Sequence, residues 1–208
     1  MIARLAPLHR LDDAYQRFLS ALTTEGFKGE IASDFGLRTV LSTDNSIYQR
    51  LPQAAVFPKD YADVECLSAL AARPEYRSIV LTARGGGTGT NGQSLTDGLV
   101  VDLSRHLNNI LEINVEERWV RVQSGVVKDQ LNAALKAHGL FFAPELSTSN
   151  RATIGGMINT DASGQGSCTY GKTRDHVLEL STVLLGGKRL DSQALANDLA
   201  HQQAERND

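Results

Sequence analysis

The chain has 208 residues, of which 41% are hydrophobic and 22% charged, with a formal net charge of −3. That length and composition suit one or two soluble domains with a real core. The weak negative charge gives no electrostatic basis for nucleic-acid binding, and no basic cluster marks a membrane surface. No apolar run is long enough for a membrane span, and the start of the chain turns polar too soon for a signal peptide, so cytoplasm is the default expectation. The two cysteines, Cys66 and Cys168, have no metal-ligand spacing and read as free thiols in a reducing compartment.

Apolar positions at Leu11, Ala14, Tyr15, Phe18, Leu19 and Leu22 predict an amphipathic helix over 11–25, stopped at Gly26. Residues 29–47 show no clear period and read as an irregular lead-in. Ala54-Ala55-Val56-Phe57 is a short strand ended by Pro58. Asp60 is a good N-cap for a helix over 62–72, with Val64, Leu67 and Ala71 on one face. Ser78 to Leu81 is the next strand, so 54–82 reads as a β-α-β unit. Leu99–Leu103 is a further strand. Residues 110–115 and 119–123 form a hairpin about Glu116-Glu117. Lys128 to His138 is helical, ended by Gly139. Residues 143–152 are loop, 153–160 a short helix, 162–166 loop, and Val177–Leu185 a strand. Beyond Leu190 the chain turns polar.

The most informative stretch is Arg84-Gly85-Gly86-Gly87-Thr88-Gly89-Thr90-Asn91-Gly92. Adjacent glycines let a backbone approach a ligand closely, and their N–H groups can converge on an anion. Phosphate or pyrophosphate is the simplest ligand. The letters Gly87 to Gly92 also fit a dinucleotide fingerprint, which needs a helix opening at the glycines. Here a turn, Thr96-Asp97-Gly98, and then a strand follow, with no room for that helix. No Gly-Lys-Ser/Thr follows either, which excludes a P-loop. The readings left are a phosphate-cradling loop between strands, a surface turn, and a Rossmann loop, with the first favoured. A second glycine-rich stretch contains Thr153-Ile154-Gly155-Gly156, Ala162-Ser163-Gly164 and Tyr170-Gly171. Taken alone, it leaves packing glycines and turns as a competing, less favoured explanation.

Taken together and in this order, the two stretches resemble the FAD-binding domain of the vanillyl-alcohol oxidase and p-cresol methylhydroxylase (PCMH) type. The resemblance rests on Arg84–Thr88, Thr153–Gly156, Asp161–Gly164 and Tyr170-Gly171. It extends to the lead-in Ser42, Asp44, Ser46 and Tyr48, then Val56-Phe57-Pro58, and covers about residues 40–190. It implies an α+β fold of two α/β subdomains with FAD in the seam: a small β-α-β unit at about 50–82 and a larger sheet from about 99 onward. Residues 1–45 are then an N-terminal helix and lead-in, 46–190 the N-terminal portion of an FAD-binding domain incomplete at its C-terminus, and 191–208 a polar tail.

Gly85–Gln93 with Pro144–Arg151 narrows the resemblance to the long bacterial D-2-hydroxyglutarate dehydrogenases. These join an FAD domain to a substrate domain and an iron–sulfur part. The resemblance implies cofactor contacts at Gly85, Gly86, Gly87, Thr88, Gly89, Thr90, Pro144, Ser147, Thr153, Gly155, Gly156, Asp161, Ser163, Gly164 and Val177. Asp161 stands where the family usually has Asn, so it cannot donate an amide N–H. Thr88 stands where the covalent-flavin branch has His, which implies non-covalent FAD. The implied partners are a small 2-hydroxy acid and an electron acceptor. The acid–base and metal residues of the family lie beyond this stretch, as would any iron–sulfur cluster. No catalytic or metal residue is therefore assigned, and these residues alone are expected to be inactive. The alternatives are the FAD domain of a D-lactate or glycolate dehydrogenase or of an enolpyruvyl reductase, and a non-enzymatic nucleotide-binding module.

Overall fold

A computed structural model describes residues 10–192. Helix α1 (Asp13–Thr24) opens it and buries Tyr15, Phe18, Leu19 and Leu22, the face that the periodicity marks; Gly26 follows at φ +91°. Next come β1 (Glu30–Ala32) and α2 (Phe35–Leu41), within what reads in sequence as an irregular lead-in. That expectation is corrected. Strand β1 is too short to show alternation and is held by antiparallel pairing to β2 (Ala54–Phe57). Helix α2 has only seven residues and is set by its cap, the Asp34 carboxylate accepting from the Leu37 N–H at 2.9 Å.

Helix α3 (Tyr61–Ala71) is capped by Asp60, whose side chain accepts from the Asp63 N–H at 2.9 Å. Its core face is Leu67, Leu70 and Ala71; Val64 is only half-buried, while Asp63 is buried. The Asp63 carboxylate accepts from the Lys28 and Lys59 N–H groups, each at 2.8 Å, and so ties the ends of two connections together. Strand β3 (Leu81–Arg84) begins later than its apolar run suggests and leads straight into the glycine loop. Strand β4 (Leu99–Asp102) follows.

The four strands make one sheet in the order β1-β2-β4-β3, with β4 parallel to both neighbours. β4 thus inserts between the two strands of the expected β-α-β unit, and the boundary between subdomains falls after β4, not before it. Every residue of β2 and β4 is buried, the pattern of strands covered on both faces. Ala54, Val56, Leu99 and Val101 pack on α1 and α3. Ala55, Phe57 and Val100 pack on Leu37 and Leu41 of α2.

The second body is built on the hairpin β5 (Ile110–Asn114) and β6 (Trp119–Val122), closed by Arg118 at φ +58°. Helix α4 (Lys128–Lys136) and helix α5 (Ile154–Asn159) cover it around Val126, Leu131, Leu135, Ile154 and Met157. A short helix, α6 (Ser167–Tyr170), follows the 162–166 loop, and a 3-10 turn comes next at Thr173–His176. The last hairpin pairs β7 (Leu180–Val183) with β8 (Arg189–Ser192). It rests on α3, where the Ser68 hydroxyl donates to the Leu184 carbonyl at 2.7 Å. Strand β7 is shorter than the apolar run Val177–Leu185, because Val177 ends the 3-10 turn and Leu178 is exposed. Asp191 and Ser192 belong to β8; the rest of the polar tail lies outside the described residues.

Candidate cofactor site

The glycine loop leaves β3 at Arg84, whose carbonyl accepts from the Leu103 N–H at 2.9 Å. The Arg84 guanidinium turns back under the loop. It donates to the Thr43 carbonyl at 2.8 Å and, at 3.4 and 3.5 Å, to the Leu41 carbonyl and Ser94 hydroxyl. Burial lowers its pKa, opposed by the carboxylates of Asp102 and Asp44, and an arginine stays charged regardless. Asp44 accepts from the Ser94 hydroxyl at 3.0 Å and the Ser46 N–H at 2.8 Å. Burial acts to raise the Asp44 pKa, yet the hydrogen bonds from Ser46 and Ser94 and the charge of Arg84 outweigh it and hold the group below its ordinary value. The Asn45 N–H donates to the Gly87 carbonyl at 3.0 Å, so residues 41–46 form the floor of the loop.

Gly87 and Gly92 have φ of +61° and +72°, which side chains rarely adopt. A β-carbon on Gly87 would stand 2.6 Å from the Arg84 Nη2. Among the described residues, no protein acceptor takes the N–H groups from Gly85 to Thr90; that of Asn91 is taken by the Gln93 side chain at 3.1 Å. Such a run of free backbone donors suits an anion.

The structure brings the second glycine stretch against the first. The Thr153 hydroxyl occupies the place of a β-carbon on Gly85, and the Arg151 carbonyl that of one on Gly86. Thr153 is 2% exposed and caps α5 through the Gly156 N–H at 3.3 Å. Residues 152–155 are held in turn by the segment before α4: Ile154 N–H donates to Val126, Gly155 N–H to Ser124, and Lys128 N–H to Ala152.

Residues 52–192 match the family described as FAD binding domain. The chain belongs to that family. Among curated proteins, it is 74% identical over 190 residues to D-2-hydroxyglutarate dehydrogenase of Pseudomonas putida, covering 91% of this chain and 19% of that protein. The enzyme of the same name from Escherichia coli K12 is 62% identical over 183 residues, 88% of this chain and 18% of that one. Glycolate oxidase subunit GlcD of Bacillus subtilis is 35% identical over 155 residues, 74% of this chain and 32% of that one. The chain thus spans about a fifth of the length of the dehydrogenases it matches. The fold matches a solved alkyldihydroxyacetonephosphate synthase at a TM-score of 0.76 and 20% identity, covering 95% of this chain and 38% of that one. It also matches the wild-type BBE-like 1 protein of Physcomitrella patens at 0.73 and 21%, covering 86% and 38%. The architecture is the mixed α and β fold of the PCMH-type FAD-binding domain.

Within this FAD-binding domain the other expected contact residues continue the line from the loop. Gly155 lies against Ser124, and Gly156 opens α5 with its surface exposed. Asp161 has φ +46°, a conformation Asp and Asn tolerate better than most residues, which explains why either residue suits this position. Its carboxylate is engaged by Arg174, accepting from the backbone N–H at 3.1 Å and pairing with the guanidinium at 3.3 Å. Pro144 is buried and Ser147 exposed in the loop before α5. Gly164 packs on the Glu145 carbonyl, which joins that loop to the 163–164 turn, where Ser163 is exposed. Val177 is half-buried at the end of the 3-10 turn.

Two clefts of about 380 Å³ lie elsewhere. One, among Ala71, Ile79, Leu81 and Leu185, lies at the start of β3, the end of that strand away from the glycine loop. The other touches the end of the loop through Asn91 and Gly92 beside Tyr48 and Arg50. Within the loop Gly86, Thr90 and Asn91 are exposed, while Gly85, Gly87, Thr88, Gly89 and Gly92 are half-buried. The sequence reading did not single out Arg84, Ser94 and Arg151 as site residues. Arg84 and Arg151 stand inside quoted motifs, but only the folded chain shows them building the floor and wall.

Proposed function

We propose that this chain is the FAD-binding portion of a flavin-dependent dehydrogenase that oxidises D-2-hydroxyglutarate to 2-oxoglutarate. FAD lies in the seam between the four-stranded sheet and the β5–β6 body, with its pyrophosphate on residues 85–90. The observation that carries the reading is the run of N–H groups from Gly85 to Thr90, free of protein acceptors and backed by Arg151 and Thr153. The contacts from Pro144 to Val177 line the rest of the cofactor. Binding is non-covalent, since the loop offers Thr88 and no histidine or cysteine.

Bound FAD supplies the acceptor for the hydride leaving the substrate α-carbon. The chain's part is to bind and orient it. The N–H groups of the loop hold the diphosphate without moving at the moment of reaction. Arg84 keeps its positive charge beneath the loop while its donors fix the loop floor. No residue here is assigned to the substrate proton, so these residues alone are expected to turn over no substrate. Turnover would need an external electron acceptor. An iron–sulfur cluster needs about four thiolates and this chain has two cysteines, so cluster ligands would come from elsewhere in the protein.

Identity of 59% to 74% to proteins named D-2-hydroxyglutarate dehydrogenase, against 31% to 36% to glycolate oxidase subunits and a D-lactate dehydrogenase, supports this substrate over the other 2-hydroxy acids. Free Cys66 and Cys168 are compatible with a cytoplasmic setting, and among the described residues no helix is long and apolar enough to cross a membrane. The test is turnover by the gene product carrying this domain, with saturating FAD and an artificial acceptor. D-2-hydroxyglutarate is expected to be oxidised in preference to D-lactate and glycolate. Preference for either of the latter would move the assignment to their class.

A further inference from the structure

We infer that Gly125 is a positioning residue for FAD: it sets the separation between the glycine loop and the 151–156 segment. This rests on the cofactor reading above and adds a residue outside the contacts expected for the cofactor.

Gly125 stands where the two bodies of the fold meet. Its N–H donates to the Leu107 carbonyl at 2.7 Å, in the connection that follows β4. A β-carbon there would meet the Leu103 carbonyl, and would lie 2.7 Å from both the Leu107 carbonyl oxygen and the Ser104 Cα. All three obstacles are backbone, which cannot swing aside as a side chain does. Leu103 is also the residue whose N–H is bound by the Arg84 carbonyl, at the root of the glycine loop.

The neighbours of Gly125 carry the other wall. Ser124 accepts from the Gly155 N–H at 2.8 Å, and Val126 accepts from the Ile154 N–H at 2.8 Å. Gly155 itself sits close, with a β-carbon position 2.7 Å from the Ser124 Cβ. The contacts therefore close a ring: Arg84, Leu103, Gly125, Ser124 and Val126, Ile154 and Gly155, then Thr153 back to Gly85. One methyl group on Gly125 must push 124–126 away from 103–107. Because 153–155 hangs on 124–126 by main-chain hydrogen bonds, it moves too, and the space between Thr153 and Gly85 opens. Core packing has little slack for such a shift.

The test compares FAD dissociation constants and thermal midpoints for the gene product carrying this domain, as wild type, Gly125→Ala and Gly139→Ala. Gly139 has φ +67° with nothing near its β-carbon position, so its alanine variant carries backbone strain without a steric clash. Gly125→Ala is expected to bind FAD at least about tenfold more weakly, equivalent to about 1.4 kcal/mol. Gly139→Ala is expected to melt earlier but bind FAD as the wild type does. Wild-type affinity in Gly125→Ala, or equal losses in both variants, would overturn the inference. A wild-type protein, carrying the whole of its FAD-binding domain, that binds no FAD would instead remove the cofactor reading on which it rests. Should Gly125→Ala fail to fold, the other side of the ring decides. Gly155→Ala is expected to weaken FAD binding, and Ser124→Gly added to it to restore part of the affinity by removing the Cβ it strikes most closely. No recovery would overturn the inference.

Discussion

The Thr153 hydroxyl stands where Gly85 would carry a β-carbon, although the two residues belong to different halves of the chain. This contact joins the two glycine-rich stretches into one surface. Gly85→Ala therefore collides with Thr153. It is expected to weaken FAD binding, and to cost about 1–3 kcal/mol of stability by overpacking. Thr153→Ala alone loses the α5 cap, about 0.5–2 kcal/mol. The double variant is expected to be less impaired than the sum of the two, because the second change removes the atom the first one strikes. A double-mutant cycle on urea unfolding measures this; strict additivity would show that the residues do not press on each other.

Arg84 is the structural pin of the loop. Replacing it by Ala leaves the Thr43 and Leu41 carbonyls without their donor, for an expected loss of about 1–3 kcal/mol. Lysine, with one ammonium in place of a fork, is expected to recover only part. Chemical denaturation of Arg84→Ala and Arg84→Lys checks the order; equal stability of both with the wild type would mean that the floor of the loop holds without the guanidinium.

Asp44 gives the site a pH dependence. Its pKa lies below the ordinary 3.8, since hydrogen bonds from Ser46 and Ser94 and the charge of Arg84 overcome the opposing effect of burial. A carboxylate with a depressed folded pKa contributes stability that is fully present above the unfolded value and is lost as pH falls through the folded value. Asp44→Asn is therefore expected to be less stable at neutral pH and to show a shallower decline below about pH 4. Urea midpoints measured from pH 7 down to pH 3 test this; parallel curves for the two proteins would exclude Asp44 as a source of the acid sensitivity.

Much of the fold could be read from sequence wherever the determinant is local. The apolar period of α1 and α4, the Asp60 cap of α3 and the alternation of the β5–β6 hairpin each lie within a dozen or so residues, and each element forms as they indicate. The insertion of β4 between β2 and β3 depends on pairing between distant strands, which no local pattern encodes. Strand β1 and helix α2 are too short to carry a period. At the site, the glycine spelling marked the loop and the second stretch. The floor built by Arg84, Asp44 and Ser94, and the role of Gly125, arise only from the meeting of segments far apart in the chain.

Asp161 separates backbone demand from charge. Its φ of +46° favours Asp or Asn, and its partner Arg174 is largely exposed. Asp161→Asn is expected to lose no more than about 1 kcal/mol, the scale of an exposed ion pair. Asp161→Val forces a β-branched residue into the left-handed region and is expected to lose about 1–3 kcal/mol. Thermal unfolding of both variants distinguishes them; an Asn variant as damaged as the Val variant would place the weight on charge, not conformation.

The central claim is that residues 85–90 cradle the FAD diphosphate, and calorimetric titration of the gene product carrying this domain with FAD and with riboflavin tests it most directly. Riboflavin carries the same ring system without phosphates. The account predicts that FAD binds far more tightly than riboflavin. It also predicts that Gly87→Val, which sets a branched side chain at φ +61° against Arg84, brings FAD down toward the riboflavin level with secondary structure retained. Equal affinity of the wild-type protein for FAD and riboflavin, or undiminished FAD binding by a folded Gly87→Val protein, would contradict it.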